Sequence, residues 1–418
     1  MLGKRNGELH GKGDNDRGLI ISQREYVQDW VPEDFSNIEH LGVFGGKNDM
    51  RTNVILQAIH NCYGKMGIVV IHYDDELIQK MNSIHDFFPD LDTGNVMQCS
   101  VSRDNPVYEP LYGIPEERVV EVIYPQVSRD NPSYLQLHVC SEALRAYLKI
   151  IKYNDLSIDI DILSYLCNLD LNELEECSEM QKVPESERTH ILTKLMQHDN
   201  IYLQVRADIN AFAGHLEGRI WHKKSEEEDT MDVSMISAVK QKNILTIKVP
   251  FNNHVADYLG SEIQTIIDEE INFLLVIDSV YVGPSLLNTE VLKMPELPFS
   301  TVIACDNLRG IYGDNESDIE NALAKLDVIH VMQCTNNISA QPFTSVTGQY
   351  LRRFESTHSG SHREALHLLG GVDNSTDTHE ELFDRIRPEE FAALGSGAVL
   401  IDQGGYDNSI CVTEEFVF

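Results

Sequence analysis

The sequence has few basic residues for its length. Its 418 residues include 33 Lys and Arg against 67 Asp and Glu, which gives a formal net charge of −34 at pH 7. Basic side chains that contact phosphates supply most of the non-specific affinity for nucleic acid. The charge therefore disfavours DNA as a partner unless a local basic surface exists, and it favours a basic protein partner.

Long apolar runs and paired cysteines are also absent. No segment approaches the roughly 18 apolar residues of a membrane span, and the polar N-terminus does not have the pattern of a signal peptide. The eight cysteines are scattered and form no CxxC pair, which predicts buried reduced thiols. We therefore expect a cytoplasmic protein without a membrane span of its own, which would reach a membrane through a partner.

Motifs of metal and hydrolase sites are missing too. The sequence has no Gly-x-Ser-x-Gly elbow of a hydrolase. His358, His362 and His367 have a spacing found among metal ligands, but Ser359 and Ser361 break any helix between the first two, and no cysteine lies nearby. We predict a mobile loop there rather than a metal centre.

What is present is an alternation of strands and helices. Apolar runs with the composition of buried parallel strands occur at 67–73, 96–100, 119–127, 244–250, 272–282, 300–305 and 328–333. Between 141 and 228 the apolar spacing is helical throughout. The pattern predicts a doubly wound, mostly parallel α/β sheet. We expect an N-terminal arm (1–37), a sheet domain in two parts (38–137 and 236–418) and an all-α insertion between them (138–235).

The stretch 40–57 (HLGVFGGKNDMRTNVILQ) is predicted to be a strand, a glycine turn and a helix whose apolar stripe begins at about residue 53. A phosphate-binding P-loop has Gly, four residues, and then Gly-Lys-Ser/Thr, with Lys on the phosphates and the hydroxyl on Mg²⁺. Here Gly45 and Thr52 are in register, but Met50 and Arg51 replace the second Gly and the Lys. Two interpretations stay open: a decayed P-loop, and an ordinary strand-to-helix turn.

A second half-match lies at the end of the strand 272–282. In P-loop ATPases, such a strand carries an Asp to the Mg²⁺ site, commonly followed by a Glu that activates water. Asp278 has the metal position, but Ser279 follows it. Because a hydroxyl of high pKa is a poor base, hydrolysis should be slow or absent even if nucleotide binds.

The chain resembles the cytoplasmic ATPase domain of type IV secretion coupling proteins, which are motors of conjugation related to FtsK-like and HerA-like translocases. The resemblance rests on the order of seven segments: HLGVFGG, GIVVIHYDD, YEPLYG, ILTIKVP, NFLLVIDS, CDNLRGIYG and RPEEFAALGSGAVLI. It implies a RecA-like domain with an inserted all-α domain. It also implies a degenerate nucleotide site built from Gly45, Gly46, Lys47, Met50, Arg51, Thr52, Asp278, Ser279 and Asp306.

The resemblance further implies that Thr52 and Asp278 would hold Mg²⁺ with ATP, if nucleotide binds. Three departures weaken that chemistry: the Met50-Arg51 pair, Ser279, and Asp306 near the place of the family's polar Gln. Our main hypothesis is a pseudo-ATPase that acts as scaffold, adaptor or regulator among protein partners of a conjugation or secretion apparatus, as a homo- or hetero-oligomer. The alternatives are an active translocase in which Lys47 replaces the missing lysine, and a nucleotide sensor without turnover.

Overall fold

The structure is a computed structural model. It describes residues 30–35, 37–73, 75–83, 96–99, 107–124, 134–196, 201–216, 232–248, 253–278, 298–312, 314–361, 372–403 and 409–413. Several predicted features lie outside these residues: the first part of the N-terminal arm, the predicted strand ends beyond the described stretches, Ser279, His362 and His367.

The strands of the described residues are numbered in chain order. They are β1 (His40–Phe44), β2 (Gly67–His72), β3 (Val96–Cys99), β4 (Val107–Tyr108), β5 (Asp232–Val233), β6 (Ile244–Lys248), β7 (Phe273–Asp278), β8 (Ser300–Cys305), β9 (Val328–Met332), β10 (Gln349–Ser361), β11 (Val372–Asp384), β12 (Ala398–Asp402) and β13 (Ser409–Thr413).

Nine of these strands form the main sheet, in the order β13-β12-β9-β1-β8-β7-β2-β6-β3. From β9 to β3 all neighbours are parallel, whereas β12 is antiparallel to both β9 and β13. Short parallel strands β4 and β5 pair separately. The predicted mostly parallel sheet is confirmed, and β13 forms the edge of the sheet next to β12.

The helices of the described residues are likewise numbered in chain order. They are α1 (Asn48–Cys62), α2 (Glu76–Asn82), α3 (Glu116–Ile123), α4 (Tyr134–Tyr153), α5 (Ile160–Asn168), α6 (Leu171–Glu176), α7 (Ser178–Lys182), α8 (Glu185–Met196), α9 (Ile201–Leu216), α10 (Met235–Lys240), α11 (Asn253–Asp268), α12 (Leu308–Tyr312), α13 (Glu316–Leu323), α14 (Asn337–Thr347) and α15 (Pro388–Ala392). None of the helices in these residues is long and apolar enough to cross a membrane.

The sheet has an apolar core on each face. In β2, Ile68 and Val70 belong to one core and Val69 and Ile71 to the other, because successive side chains of a strand point to opposite faces. Helices α1 and α2 and residues 30–35 cover the first face, whereas α10, α11 and the helical insertion share the second core. Helices therefore lie on both faces, as a doubly wound fold requires.

From 134 to 216 the described residues of the insertion form helices joined by short turns. Helices α4 to α9 follow one another without a strand, and α4, α8 and α9 bury apolar side chains in a shared core. Asp159 and Asp170 begin α5 and α6 by accepting hydrogen bonds from backbone N–H groups, as N-cap residues do. The predicted helical insertion in the sheet fold is confirmed, although Asp232–Val233, within the predicted range 138–235, form β5.

Two predictions of local structure are wrong. The stretch 119–127 was expected to contain a strand, but residues 116–123 form α3. Pro115 precedes two glutamates in its first turn, which favours a helix start, and Val119, Val120 and Val122 are buried against the second core. The predicted mobile loop around His358 is also wrong, since that residue lies in β10, which pairs with β11 in a long ribbon.

Two buried carboxylates bind groups from separate parts of the chain, and Glu109 connects the sheet domain with the insertion. Glu109 accepts hydrogen bonds from the N–H groups of Leu111 and Ile160, each at 3.0 Å. Glu262 accepts the hydroxyl of Tyr108 and, at 3.3 Å, the N–H of Met235. Because burial disfavours the charged form, the pKa of Glu262 is raised to about 8.

The raised pKa predicts that Glu262 makes stability depend on pH. Between the ordinary value near 4.5 and about 8, the folded chain holds a proton on Glu262 that the unfolded chain releases. Stability from this group therefore falls as pH rises through that window, by up to about 1.4 kcal/mol per pH unit. Glu262→Gln should remove this slope, measured by urea unfolding between pH 5 and 8.

The control is Glu187→Gln, which removes a carboxylate from a half-exposed position of α8. Equal slopes in the wild type and Glu262→Gln would mean that Glu262 is already ionised in the folded chain across this range.

Candidate functional site

The residues of the predicted site meet at the carboxyl edge of the sheet. Strands β1, β8 and β7 are consecutive neighbours. Gly45 follows β1, Asp306 follows β8, and Asp278 is the last residue of β7. Ligands of doubly wound sheets bind at this edge. The strand order therefore brings the three positions together, as the sequence predicted, although Ser279 lies outside the described residues.

The turn between β1 and α1 is only three residues long. Gly45 and Gly46 have left-handed backbones, with φ of 74° and 65°. Lys47 is the exposed N-cap residue, and α1 begins at Asn48. The helix thus starts about five residues before the apolar stripe predicted it, and most of the segment between Gly45 and Thr52 is helical.

The backbone amides of this turn are bound by the ends of neighbouring strands. Gly45 N–H donates to the carbonyl oxygen of Cys305 at 3.0 Å, and Gly46 N–H donates to that of Gln333 at 2.7 Å. A Cβ atom on Gly45 would lie 2.8 Å from the carbonyl oxygen of Met332. The two glycines therefore allow the turn to press against the end of β9.

Arg51 fills the inside of the turn. Its Nη1 donates to the carbonyl oxygens of Gly45 and Gly46, both at 2.9 Å, and its Nη2 donates to Asn48 Oδ1 at 3.0 Å. The side chain is 5% exposed. A planar guanidinium can reach several acceptors at once, which a lysine ammonium does less well. Arg51 consequently holds the turn closed from within.

Thr52 is bound within its own helix. Its side chain is fully buried, and Oγ1 donates to the carbonyl oxygen of Asn48 at 2.9 Å. In the described residues, no group of three or more His, Cys, Asp or Glu side chains could hold a metal ion. The predicted metal position at Thr52 is therefore buried inside the fold.

Charged groups surround a buried thiol beside the turn. Burial raises the pKa of Cys305, the Arg51 cation lowers it, and the carboxylates of Asp306 and Asp278 raise it further. Asp278 is fully buried, whereas Asp306 is half-buried. Arg51, Asp278, Asp306 and Cys305 form the edge cluster of this site.

Helix α2 secures the start of α1 from outside. Asn48 Nδ2 donates to Glu76 Oε2 at 2.8 Å, and Lys80 Nζ donates to the carbonyl oxygen of Asp49 at 3.1 Å. The first turn of α1 is therefore bound on two sides, by Arg51 and by α2.

The geometry does not fit a bound triphosphate. A P-loop directs free backbone N–H groups at the phosphates, but the amides of Gly45 and Gly46 donate to strand ends. The guanidinium of Arg51 occupies the turn. Binding phosphate there would require breaking these hydrogen bonds and moving a buried charged side chain. We therefore assign no chemical step to nucleotide or Mg²⁺ at this place.

Sequence reasoning missed three contributors to the site. Asn48 accepts a hydrogen bond from Arg51, and the carbonyl groups of Cys305 and Gln333 bind the glycine amides. Cys305 is the last residue of the predicted strand 300–305, and Gln333 is the last residue of the predicted strand 328–333. Their carbonyl groups were therefore expected at this edge. Nothing in the residue types indicated that Gly45 and Gly46 would use them.

Comparison with known proteins supports the fold. No protein-family model matches the sequence, and no curated protein sequence is significantly similar to it. The unbound monoclinic form of the bacterial conjugative coupling protein TrwBdeltaN70 matches with 12% identity and a TM-score of 0.53, over 95% of this chain and 89% of that one.

Two further solved structures are more distant. The plasmid coupling protein TrwB in complex with the non-hydrolysable GTP analogue GDPNP has 12% identity and a TM-score of 0.48, over 91% of this chain and 86% of that one. VirB4 of Thermoanaerobacter pseudethanolicus has 10% identity and a TM-score of 0.38, over 79% and 85%. At the level of the fold, the resemblance predicted from the sequence is confirmed: along nearly its whole length the chain is built like a bacterial conjugative coupling protein.

Proposed function

We propose that the chain is a coupling-protein-like member of a conjugative DNA transfer or type IV secretion apparatus that does not hydrolyse nucleotide and acts as a scaffold, adaptor or regulator. The observation that carries the proposal is the closed turn after β1. Arg51 donates to the carbonyl oxygens of both glycines, whose own amides donate to strand ends. A coupling-protein fold with its phosphate loop filled by a side chain favours a role without turnover.

Charge supports protein partners for this role. The chain has a formal net charge of −34, and the surface field of such a protein attracts basic partners and repels nucleic acid. TrwBdeltaN70 is a conjugative coupling protein, and the shared fold favours a place among the proteins of such an apparatus. We propose a basic protein as the partner, in a homo- or hetero-oligomeric assembly in the cytoplasm.

The proposal predicts that the wild-type chain neither binds nor hydrolyses nucleotide. Titration with Mg²⁺-ATP and Mg²⁺-GTP up to about 1 mM, a concentration that would detect binding free energies of about −4 kcal/mol or better, should give no binding heat. Phosphate release should equal the background, with or without DNA. Met50→Gly/Arg51→Lys restores the residue types of a P-loop, but release should stay at background because α1 still begins at Asn48.

Asp278→Asn distinguishes phosphate release by this chain from release by a contaminating enzyme. Release that is well above background in the wild type and is lost in Asp278→Asn would refute the proposal in favour of a working translocase, and Lys47→Ala would then test the exposed lysine. Binding heat without release would also refute it, in favour of a nucleotide sensor. Asp161→Asn, at a half-buried position in α5 of the insertion and away from this edge, is the control for the loss of a carboxylate.

A further inference from the structure

The longest strands of the described residues do not belong to the main sheet. β10 and β11 pair antiparallel over 13 residue pairs, from Gln349 opposite Asp384 to Ser361 opposite Val372. At about 3.3 Å per residue the ribbon is about 43 Å long. It is joined to the body after α14, where Arg385 N–H donates to the carbonyl oxygen of Gly348 and Gln349 Nε2 donates to Asp384 Oδ1.

The sequence of the ribbon gives it no apolar face along its whole length. Close to the body, the register sets opposite charges and apolar residues against each other: Arg352 with Glu381, Arg353 with Glu380, Leu351 with Leu382, and Tyr350 with Phe383. Farther out, nearly all positions on both faces are Ser, Thr, Asn, Asp, His or Gly. A ribbon with polar positions on both faces has no apolar face that it could bury against a core.

Both long edges of the ribbon are unpaired within the described residues, since β10 and β11 form a sheet of two strands. Two-stranded ribbons are at best marginally stable in water, and an unpaired strand edge is a template for another strand. A ribbon of this length could therefore be stabilised by another strand that pairs with one of its edges.

The two edges differ in charge. β11 has five acidic residues and no Lys or Arg: Asp373, Asp377, Glu380, Glu381 and Asp384. β10 has two arginines and one glutamate, in the order Arg353, Phe354, Glu355 after Arg352. Like charges opposite one another destabilise a strand pair. The acidic residues of β11 therefore disfavour the pairing of two β11 edges, whereas β10 has no such excess of one charge.

We propose that β10 pairs antiparallel with β10 of a second copy of this chain, about a two-fold axis at Phe354. In that register Phe354 lies opposite Phe354 of the second copy, and Arg353 lies opposite Glu355, twice over because of the symmetry. Aromatic pairs and pairs of opposite charge are the favourable cross-strand combinations. The segment Arg-Phe-Glu is complementary to itself only in this antiparallel arrangement.

The same arrangement limits this interface to two copies. Pairing of β10 with β10 is isologous and closes, whereas pairing of β10 with β11 would continue from copy to copy. The resulting four-stranded sheet has two β11 strands as its outer edges, and their acidic residues resist further pairing. The interface is independent of the turn after β1, so it does not rest on the proposed function.

Cysteine cross-linking tests the register directly. In the full-length chain, Phe354→Cys places two thiols opposite each other, and mild oxidation should give a covalent dimer. Ser359→Cys is the matched control on the same strand: its two copies would lie ten residues apart, about 33 Å, and should not cross-link above the wild type. Cross-linking of both variants to the same extent, or of neither, would overturn the proposal.

Charge reversal tests the same pairing without a covalent cross-link. Glu355→Arg sets arginine opposite Arg353 twice, while its partner within the ribbon is the neutral Thr378. Sedimentation at increasing concentration should show a dimer for the wild type and a dissociation constant about tenfold or more higher for Glu355→Arg. Ser359→Arg, the control, should resemble the wild type. A wild-type monomer at 100 μM, or a dimer that Glu355→Arg leaves unchanged, would refute the inference.

Discussion

Replacing Gly45 with alanine should lower the free energy of unfolding by about 4 kcal/mol, whereas the same change at Gly64 should cost only about 1 kcal/mol. The two glycines have nearly equal left-handed backbones, with φ of 74° and 70°. They differ in the space around them. A Cβ on Gly45 meets two carbonyl oxygens at the end of β9, at 2.8 and 3.0 Å, whereas a Cβ on Gly64 meets nothing within 4 Å.

Urea unfolding of the two variants measures the contrast. The strain of a left-handed alanine is common to both, so the difference between them isolates the contact with β9. Gly395→Ala is a second control, with φ of 64° and open space. If Gly45→Ala is no less stable than Gly64→Ala, the turn does not press against β9, and a turn open enough to admit phosphate becomes the better description.

The strands of the main sheet could be predicted because burial on both faces leaves a simple pattern. Runs such as 67–73 and 272–282 are almost continuously apolar, and β2 and β7 are buried along their whole length. A strand covered on both faces allows few alternatives. The alternation of strands and helices predicted a parallel sheet, whose strands share one carboxyl edge, but it did not predict the strand order that makes β1, β8 and β7 neighbours.

The interior of the turn could not be predicted from residue types. The apolar stripe of α1 begins at Val54, so the polar first turn from Asn48 carried no periodic signal. A comparison with the P-loop pattern shows that Arg51 replaces lysine, but not that its guanidinium would bind the loop carbonyls. That outcome depends on where β9 and β8 end, which is a property of the assembled sheet rather than of the segment.

The ribbon was missed for a different reason. Prediction of strands relied on apolar runs or on alternation, and β10 and β11 have neither over most of their length. Their register sets positions such as Arg353 and Glu380, which are 27 positions apart in the chain, opposite each other, and a pairing over that separation leaves no local pattern in the sequence. The strand predicted at 119–127 was wrong for the opposite reason. Valines favour strands in general, but Val119, Val120 and Val122 lie in α3 and are buried in the second core.

Glu109→Ala should be a strongly destabilising single change, with a loss of about 3–5 kcal/mol in the free energy of unfolding. The carboxylate is 2% exposed, and its two oxygens accept the N–H groups of Leu111 and Ile160. Alanine would leave both amides buried without this acceptor, and each such amide costs about 1–3 kcal/mol. A glutamine would supply one acceptor oxygen in place of two and should have an intermediate effect.

The matched control is Glu187→Ala. That glutamate is half-exposed and pairs with Lys149 at 3.8 Å, so its loss should cost at most about 1 kcal/mol. Unfolding followed by far-UV circular dichroism gives the free energies of both variants. A loss in Glu109→Ala no larger than in the control would mean that other acceptors replace the carboxylate.

Glu109 should also couple the unfolding of the insertion to that of the sheet. It precedes the insertion, in the turn after β4, and Ile160 begins α5, 51 positions later in the chain. A charge-assisted hydrogen bond across that distance couples the two parts. Hydrogen exchange should therefore become faster at the amide of Ile160 and in α5 in Glu109→Ala, while exchange in β2 and β7 stays slow. Equal acceleration in the insertion and the sheet would show that a single cooperative unit includes both, with Glu109 stabilising the whole rather than the junction.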